Sequence, residues 1–223
     1  MTTDPQRQTL TRERVLQGAL ELTDEIGIEA FTIRRLAAAL DVKPMTIYHY
    51  LPSKEEILDG MVDSVFEEIE LPATDVDWRT GMRGRCISAR GVLQRHPWAP
   101  PLMESRRTPG PATLRHHDAV LACLRGGGLS LERTADAYAV IDSYLYGFAL
   151  QEANLPGGGG EEIVDLAASM VPDMFADYPA LTEFTTEWVM RPGYRFGNSF
   201  EIGLDLILDG LDRAARRADG AEH

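Results

Sequence analysis

The sequence predicts an all-α chain in two parts: a three-helix head with a helix-turn-helix over residues 1–53, and a larger helical domain over 54–223. Three observations carry this. Residues 32–54, TIRRLAAALDVKPMTIYHYLPSK, read as two short helices around a tight turn, followed by the start of a third. Downstream, apolar residues recur at helical spacing in one stretch after another, with Pro and Gly between the stretches. Charge is also unevenly spread. The chain carries −13, yet residues 32–54 carry +3, from Arg34, Arg35, Lys43 and Lys54 against Asp41.

After a tail reaching Thr9, a first helix spans residues 11–25, with Val15, Ala19, Leu22 and Ile26 on one face and Gly27 ending it. Arg12 and Arg14 near its start either touch phosphate or pair with neighbouring acids. Thr32 caps the second helix, whose face is Ile33, Leu36, Ala37 and Leu40. Asp41 follows the last apolar position and tolerates a left-handed turn. Pro44 suits the first position of a new helix, where its missing N–H would have no partner. Val42 and Ile47 can pack back, leaving Met45, Thr46, Tyr48, His49 and Tyr50 held off the body. Pro52 stops that helix, and Ser53 with Glu56 forms a capping box for the next one, which runs through Ile57, Leu58, Met61 and Val65.

Beyond a break at LPATDVD, a helix over 77–95 lines up Met82, Cys86, Ala89 and Leu93. Five prolines make residues 96–112 a loop with at most a short helix. Helices follow over 112–125 and 130–153, then a flexible connector at residues 157–160, and weaker helical segments near 163–175 and 180–190. The last helix, 199–217, has Phe200, Leu204, Ile207, Leu208 and Leu211 in one stripe, with Ile202 and Leu206 outside it and Glu201, Asp205, Asp209 and Asp212 as its only wet face. So wide an apolar arc exceeds what one domain needs to bury. With the stripe Ala137, Val140, Ile141, Tyr144, Leu145 and Phe148 of the long helix, it predicts a four-helix homodimer seam, and Gly203 and Gly210 would allow close approach. A buried helix in a monomer is the alternative.

Cys86 and Cys123 stand at no metal-like spacing, which suits a reducing compartment. No signal-like segment opens the chain and no run approaches the ~18 apolar residues of a membrane span, so a soluble cytoplasmic protein with no membrane role is expected. An acidic chain is a poor indiscriminate binder of nucleic acid, but screening within ~10 Å leaves a local basic island effective. Hydroxyls and aromatics interleaved with its charges are what groove docking needs, though a merely solvated helical hairpin would look similar.

The stretch FTIRRLAAALDVKPMTIYHYLPSKEEIL resembles the DNA-binding head of the tetracycline-repressor (TetR) family of bacterial transcriptional regulators. The matching positions are Phe31, Thr32, Arg34, Leu36, Ala37, Val42, Thr46, Ile47, Tyr48, Tyr50, Lys54 and Leu58, and FEIGLDLILDGLDR resembles the family's final dimerisation helix. Asp41 stands where the family usually has a turn glycine, and Lys43–Pro44 replaces a Ser-led start. The resemblance implies a ligand-responsive repressor: a homodimer whose two heads read a near-palindromic double-stranded operator, released by a small-molecule effector. Thr46, Tyr48, His49 and Met45 would lie near base edges, while Lys43, Tyr50, Lys54, Thr32 and Arg34 hold phosphates. The recognition helix has no arginine, so specificity leans on apolar contacts and DNA shape.

The resemblance further makes the second domain a helical ligand-binding and dimerisation domain. Its candidate effector-binding residues, taken from apolar lines near proline breaks, are Met82, Cys86, Trp98, Met103, His117, Tyr144 and Phe148, with plain core packing as the alternative for each. Between Trp78 and Arg107 seven arginines face Glu104 alone. Either they pair with acids elsewhere, or Arg85 grips an anionic effector. Tetracycline is not implied, since Glu70, Met103 and Gln151 stand where the family's namesake supplies drug or metal ligands. No cofactor, metal or catalytic residue is called for. His116–His117–Asp118 is the best enzymatic candidate, but adjacent helical residues diverge, and no HExxH, GxSxG or CxxC pattern supports it. The competing classes are a helical dimer with no DNA role and a small-molecule enzyme.

Overall fold

A computed structural model describes residues 9–170 and 177–219. Among these residues there are eleven α-helices and no strand, and no helix is long and apolar enough to cross a membrane. The chain divides into two compact units. One takes in the chain up to Ile69 together with Arg95–Asp118; the other holds Glu70–Gln94 and the chain from Ala119 on.

In the first unit, α1 (Arg12–Ile26) begins where the Thr11 hydroxyl accepts the Arg14 N–H at 3.2 Å and ends at Gly27. α2 (Ile33–Ala39) and α3 (Pro44–Tyr48) form the helix-turn-helix, and α4 (Lys54–Glu68) starts where Ser53 accepts the Glu56 N–H. Each cap satisfies an N–H that the first helical turn leaves without a partner. Val15, Ala19, Leu36, Ile47, Ile57, Met61 and Val65 are fully buried, the core that the periodicity predicts. α6 (Ala99–Ser105) is the short helix admitted between the prolines, with Pro100 and Pro101 in its first turn, where a missing N–H costs nothing.

The second unit holds α5 (Trp78–Arg95, up to Gln94), the end of α7 (Pro111–Gly126), α8 (Leu131–Asn154), α9 (Glu161–Met170), α10 (Pro179–Phe184) and α11 (Ser199–Asp219). α8 packs on α11 through Phe148 and Tyr144, whose rings lie 5.1 and 5.6 Å from that of Phe200. Several expectations change. Residues 157–160 are a defined turn, with Gly157, Gly158 and Gly159 all at positive φ, which glycine adopts without steric cost. Residues 171–175 of the segment expected to be helical lie outside the described residues, as does the tail before Thr9. The acidic face of α11 is an ion-pair seam: Glu201 and Asp205 take the two arms of Arg83, at 2.6 and 2.8 Å, and Asp209 takes Arg79. Gly203 is required inside the chain, because a Cβ there would stand 2.2 Å from the Tyr144 hydroxyl, whereas one on Gly210 would meet nothing.

Candidate functional site

The left-handed turn falls where the sequence puts it. Asp41 is the one non-glycine residue with positive φ among those described, at 51°, and the Val42 N–H closes the turn onto the Ala37 carbonyl at 2.9 Å. Pro44 then opens α3, and Lys43 before it makes no side-chain cap, since an ammonium has no lone pair to offer a helix N–H. Five residues cannot hold a helix by themselves. α3 is held by Ile47 inside it and Leu51 just after it, both buried against the core.

The other side of α3 faces out. Met45 is 69% exposed, large for an apolar side chain, and His49 and Tyr50 are exposed, with Thr46 and Tyr48 half-buried beside them. Thr32 gives its hydroxyl oxygen to the Arg35 N–H and keeps its own O–H to donate. Lys54 lies 5.8 Å from the centre of the Phe31 ring, Arg34 is exposed, and Arg35 donates to the Ala30 carbonyl at 3.0 Å. Among the described residues no ion pair engages Arg34, Arg35, Lys43 or Lys54. The result is a short convex ridge with an apolar tip, hydroxyls and rings along it, and uncommitted cations at its flanks.

Behind the ridge, the same unit is braced by carboxylates. His96 places Nδ1 2.8 Å from Asp24 of α1 and Nε2 3.1 Å from Glu68 of α4, and the Trp98 indole donates to Asp24 at 2.6 Å. Arg95 holds Glu68 as well. Burial alone would raise the Glu68 carboxyl, but its bonds to Arg95 and His96 outweigh that and hold it below the ordinary carboxylate value. Arg106 bridges Asp59 and Glu55 at 2.6 Å each, and Asp63 accepts the Thr113 N–H and hydroxyl.

The sequence-derived effector residues divide between the units. In the first, Trp98 is engaged with Asp24, Met103 is half-buried, and His117 stacks with His116 on Phe66, at 5.4 and 5.2 Å. In the second unit, Met82, Cys86 and Arg85 are fully buried. Arg85 donates to Asp142 of α8 at 2.7 Å; burial disfavours its charge, but Asp142 more than compensates and holds the guanidinium protonated. Burial pushes the Cys86 thiol up. The Tyr144 hydroxyl donates to the Phe200 carbonyl at 2.9 Å. Arg85 thus already has its anion. Of the two readings of the arginine-rich stretch, pairing with distant acids holds for Arg79, Arg83, Arg85, Arg90, Arg95 and Arg106.

Among the cavities lined by described residues of the second unit are one of about 600 Å³ between residues 71–78 and the end of α7, and two of about 580 Å³. One of these last two is ionic. Arg90 grips Glu152 through two bonds, at 3.0 and 2.5 Å, beside Arg195, Glu201 and the 157–160 turn. The other is apolar, walled by the end of α8, α9, α10 and a π turn over Thr185–Val189. Sequence reasoning missed this second cavity. Ile163, Leu166, Ala167 and Met170 do fall at i, i+3, i+4 and i+7 and line it, but the π turn that closes its other side has no local sequence signature.

Residues 15–61 match the family of bacterial regulatory proteins called tetR, and residues 71–215 match the tetracyclin repressor-like C-terminal domain. The chain is 32% identical to the HTH-type transcriptional repressor DrrR1 of Streptomyces coeruleorubidus over 227 residues, covering 96% of this chain and 83% of that one. It is 28% identical to the class C tetracycline repressor protein of Escherichia coli, covering 92% and 91%. Its fold is similar to that of the Streptomyces coelicolor TetR family protein ActR in complex with actinorhodin, with a TM-score of 0.74, 26% identity, and 93% and 99% of the two chains covered.

Proposed function

This chain belongs to the TetR family of bacterial regulators, and from that premise we propose a mechanism for it as a ligand-responsive transcriptional repressor. The observation that carries the proposal is the ridge: an exposed five-residue helix, set by a left-handed Asp41 and flanked by cations that no carboxylate among the described residues neutralises. Inserted in a major groove, Met45, Thr46, Tyr48 and His49 meet base edges and thymine methyls. Lys43, Tyr50, Lys54, Thr32 and Arg34 hold phosphates and fix register. The head spans residues 1–53, and residues 54–223 receive the effector and join the subunits.

The protein works as a homodimer in the cytoplasm. Ile202 and Leu206 of α11 are 65% and 66% exposed, with Val140 exposed on α8, and Gly210 leaves room for a second backbone. A twofold pair built there presents two ridges to major grooves about 34–36 Å apart, hence a near-palindromic operator. Effector and DNA favour different spacings of the heads, so each weakens the other by a coupling of about 1–3 kcal/mol. Nothing in this scheme requires catalysis, which accords with a family of transcription factors rather than enzymes. The test is a gel shift on genomic duplex fragments with the parent, Tyr48→Ala and Leu206→Asp. Retardation by the parent and loss in both variants is the expected result, with Leu206→Asp sedimenting as a monomer. A parent that shifts no fragment would refute the reading.

A further inference from the structure

The apolar cavity has a construction that repression as described does not use. Leu150 and Gln151 reach it from α8, Leu166 from α9, Phe184 and Thr185 from the junction of α10 with the π turn, and Phe196 from the turn before α11. None of its described lining residues carries a charge. An ionised ligand would meet no counter-charge on this wall. The ionic cavity of the same unit, equal in volume, differs in kind: Arg90 and Glu152 on its wall are already paired with each other, beside Arg195.

The π turn is a second, independent observation. A widened turn sacrifices hydrogen-bond geometry and occurs mainly where function demands it. Here it puts Thr185 and Val189 together on the cavity wall. Phe184 and Phe196 provide ring faces for offset stacking, and the Thr185 hydroxyl and Gln151 amide provide hydrogen bonds without charge. A cavity of about 580 Å³ lies within the range that encloses small organic ligands. We propose that it is a binding site for an uncharged, ring-bearing small molecule with one or two hydrogen-bonding groups. The proposal rests on the chain being ligand-responsive, and it names the class of ligand.

The test uses the full chain and two fluorescent probes with one ring framework: neutral N-phenyl-1-naphthylamine and its anionic sulfonate, 1-anilinonaphthalene-8-sulfonate. The neutral probe should saturate at one per chain and raise the melting temperature, with the sulfonate binding about tenfold more weakly or worse. Phe184→Glu and Leu150→Glu, at positions 54% and 42% exposed, should keep the parent's melting temperature and each weaken the neutral probe at least about tenfold. Equal binding of both probes overturns the proposal, as does neutral binding that neither variant reduces. So does a parent that takes up no probe while Phe184→Glu dissociates its dimer, which would make this wall a subunit contact. No readout involves DNA, so failure here leaves repression to be judged by the gel shift alone.

Discussion

Arg85, Arg90 and Arg106 each hold a carboxylate oxygen within 2.7 Å, whereas Arg34, Lys43 and Lys54 of the helix-turn-helix hold none among the described residues. The two sets share a chemistry and differ in what surrounds them. The first cross-links helices, and its charge is cancelled where it stands. The second keeps its charge on the surface of a chain whose net charge is −13. Only cations without a partner can replace the counterions of a phosphate backbone, so a basic run in a sequence says little until its partners are known. Arginine density is in fact greater in the stretch from Arg79 to Arg107 than in the head, yet the cations without a carboxylate partner among the described residues include those of the head.

The contrast breaks most visibly at Asp142. Asp142→Ala strands the buried Arg85 and should cost about 3–5 kcal/mol in urea unfolding, with much of it restored by the paired change Arg85→Met, Asp142→Leu. A loss below about 1 kcal/mol would mean that water reaches Arg85. Met45→Ala sharpens the opposite side. The side chain touches little of the protein, so unfolding should stay within about 0.5 kcal/mol of the parent. Affinity for a bound genomic fragment should fall by about 1 kcal/mol as an apolar base contact is lost. The smallest effect concerns Glu68, whose carboxyl is held below its ordinary value of 4.5. Its contribution is complete above pH 4.5 and disappears as pH falls through the lower folded value. Melting temperature against pH should therefore drop less steeply in that acid range for Glu68→Gln.

What the sequence discloses follows the range of each interaction. The caps at Thr32 and Ser53 were legible because a side chain and an N–H three residues on decide them. The left-handed Asp41 and the first-turn Pro44 were legible for the same reason. The arginine partners were not, since Arg85 reaches 57 positions to Asp142 and Arg83 reaches 122 to Asp205. Gly203 was misread as room for a second subunit because its real neighbour, Tyr144, lies on another helix. The α11 acids do lie on a solvent face, but their pairing with Arg79 and Arg83 was hidden for the same reason. The apolar cavity needed a π turn that tertiary packing alone determines. The ridge of α3, by contrast, could be written down residue by residue from a run of local signals.

The most direct test of these two kinds of cation is the salt dependence of binding to a nonspecific duplex, followed by fluorescence anisotropy. Arg34→Ala with Lys43→Ala should flatten the plot of log affinity against log salt by about 0.9 for each phosphate contact removed, leaving stability intact. Arg79→Ala with Arg83→Ala should leave that slope unchanged. An unaltered slope in the head variant, or an equal fall in the α5 variant, would contradict the assignment of DNA binding to the unpaired cations.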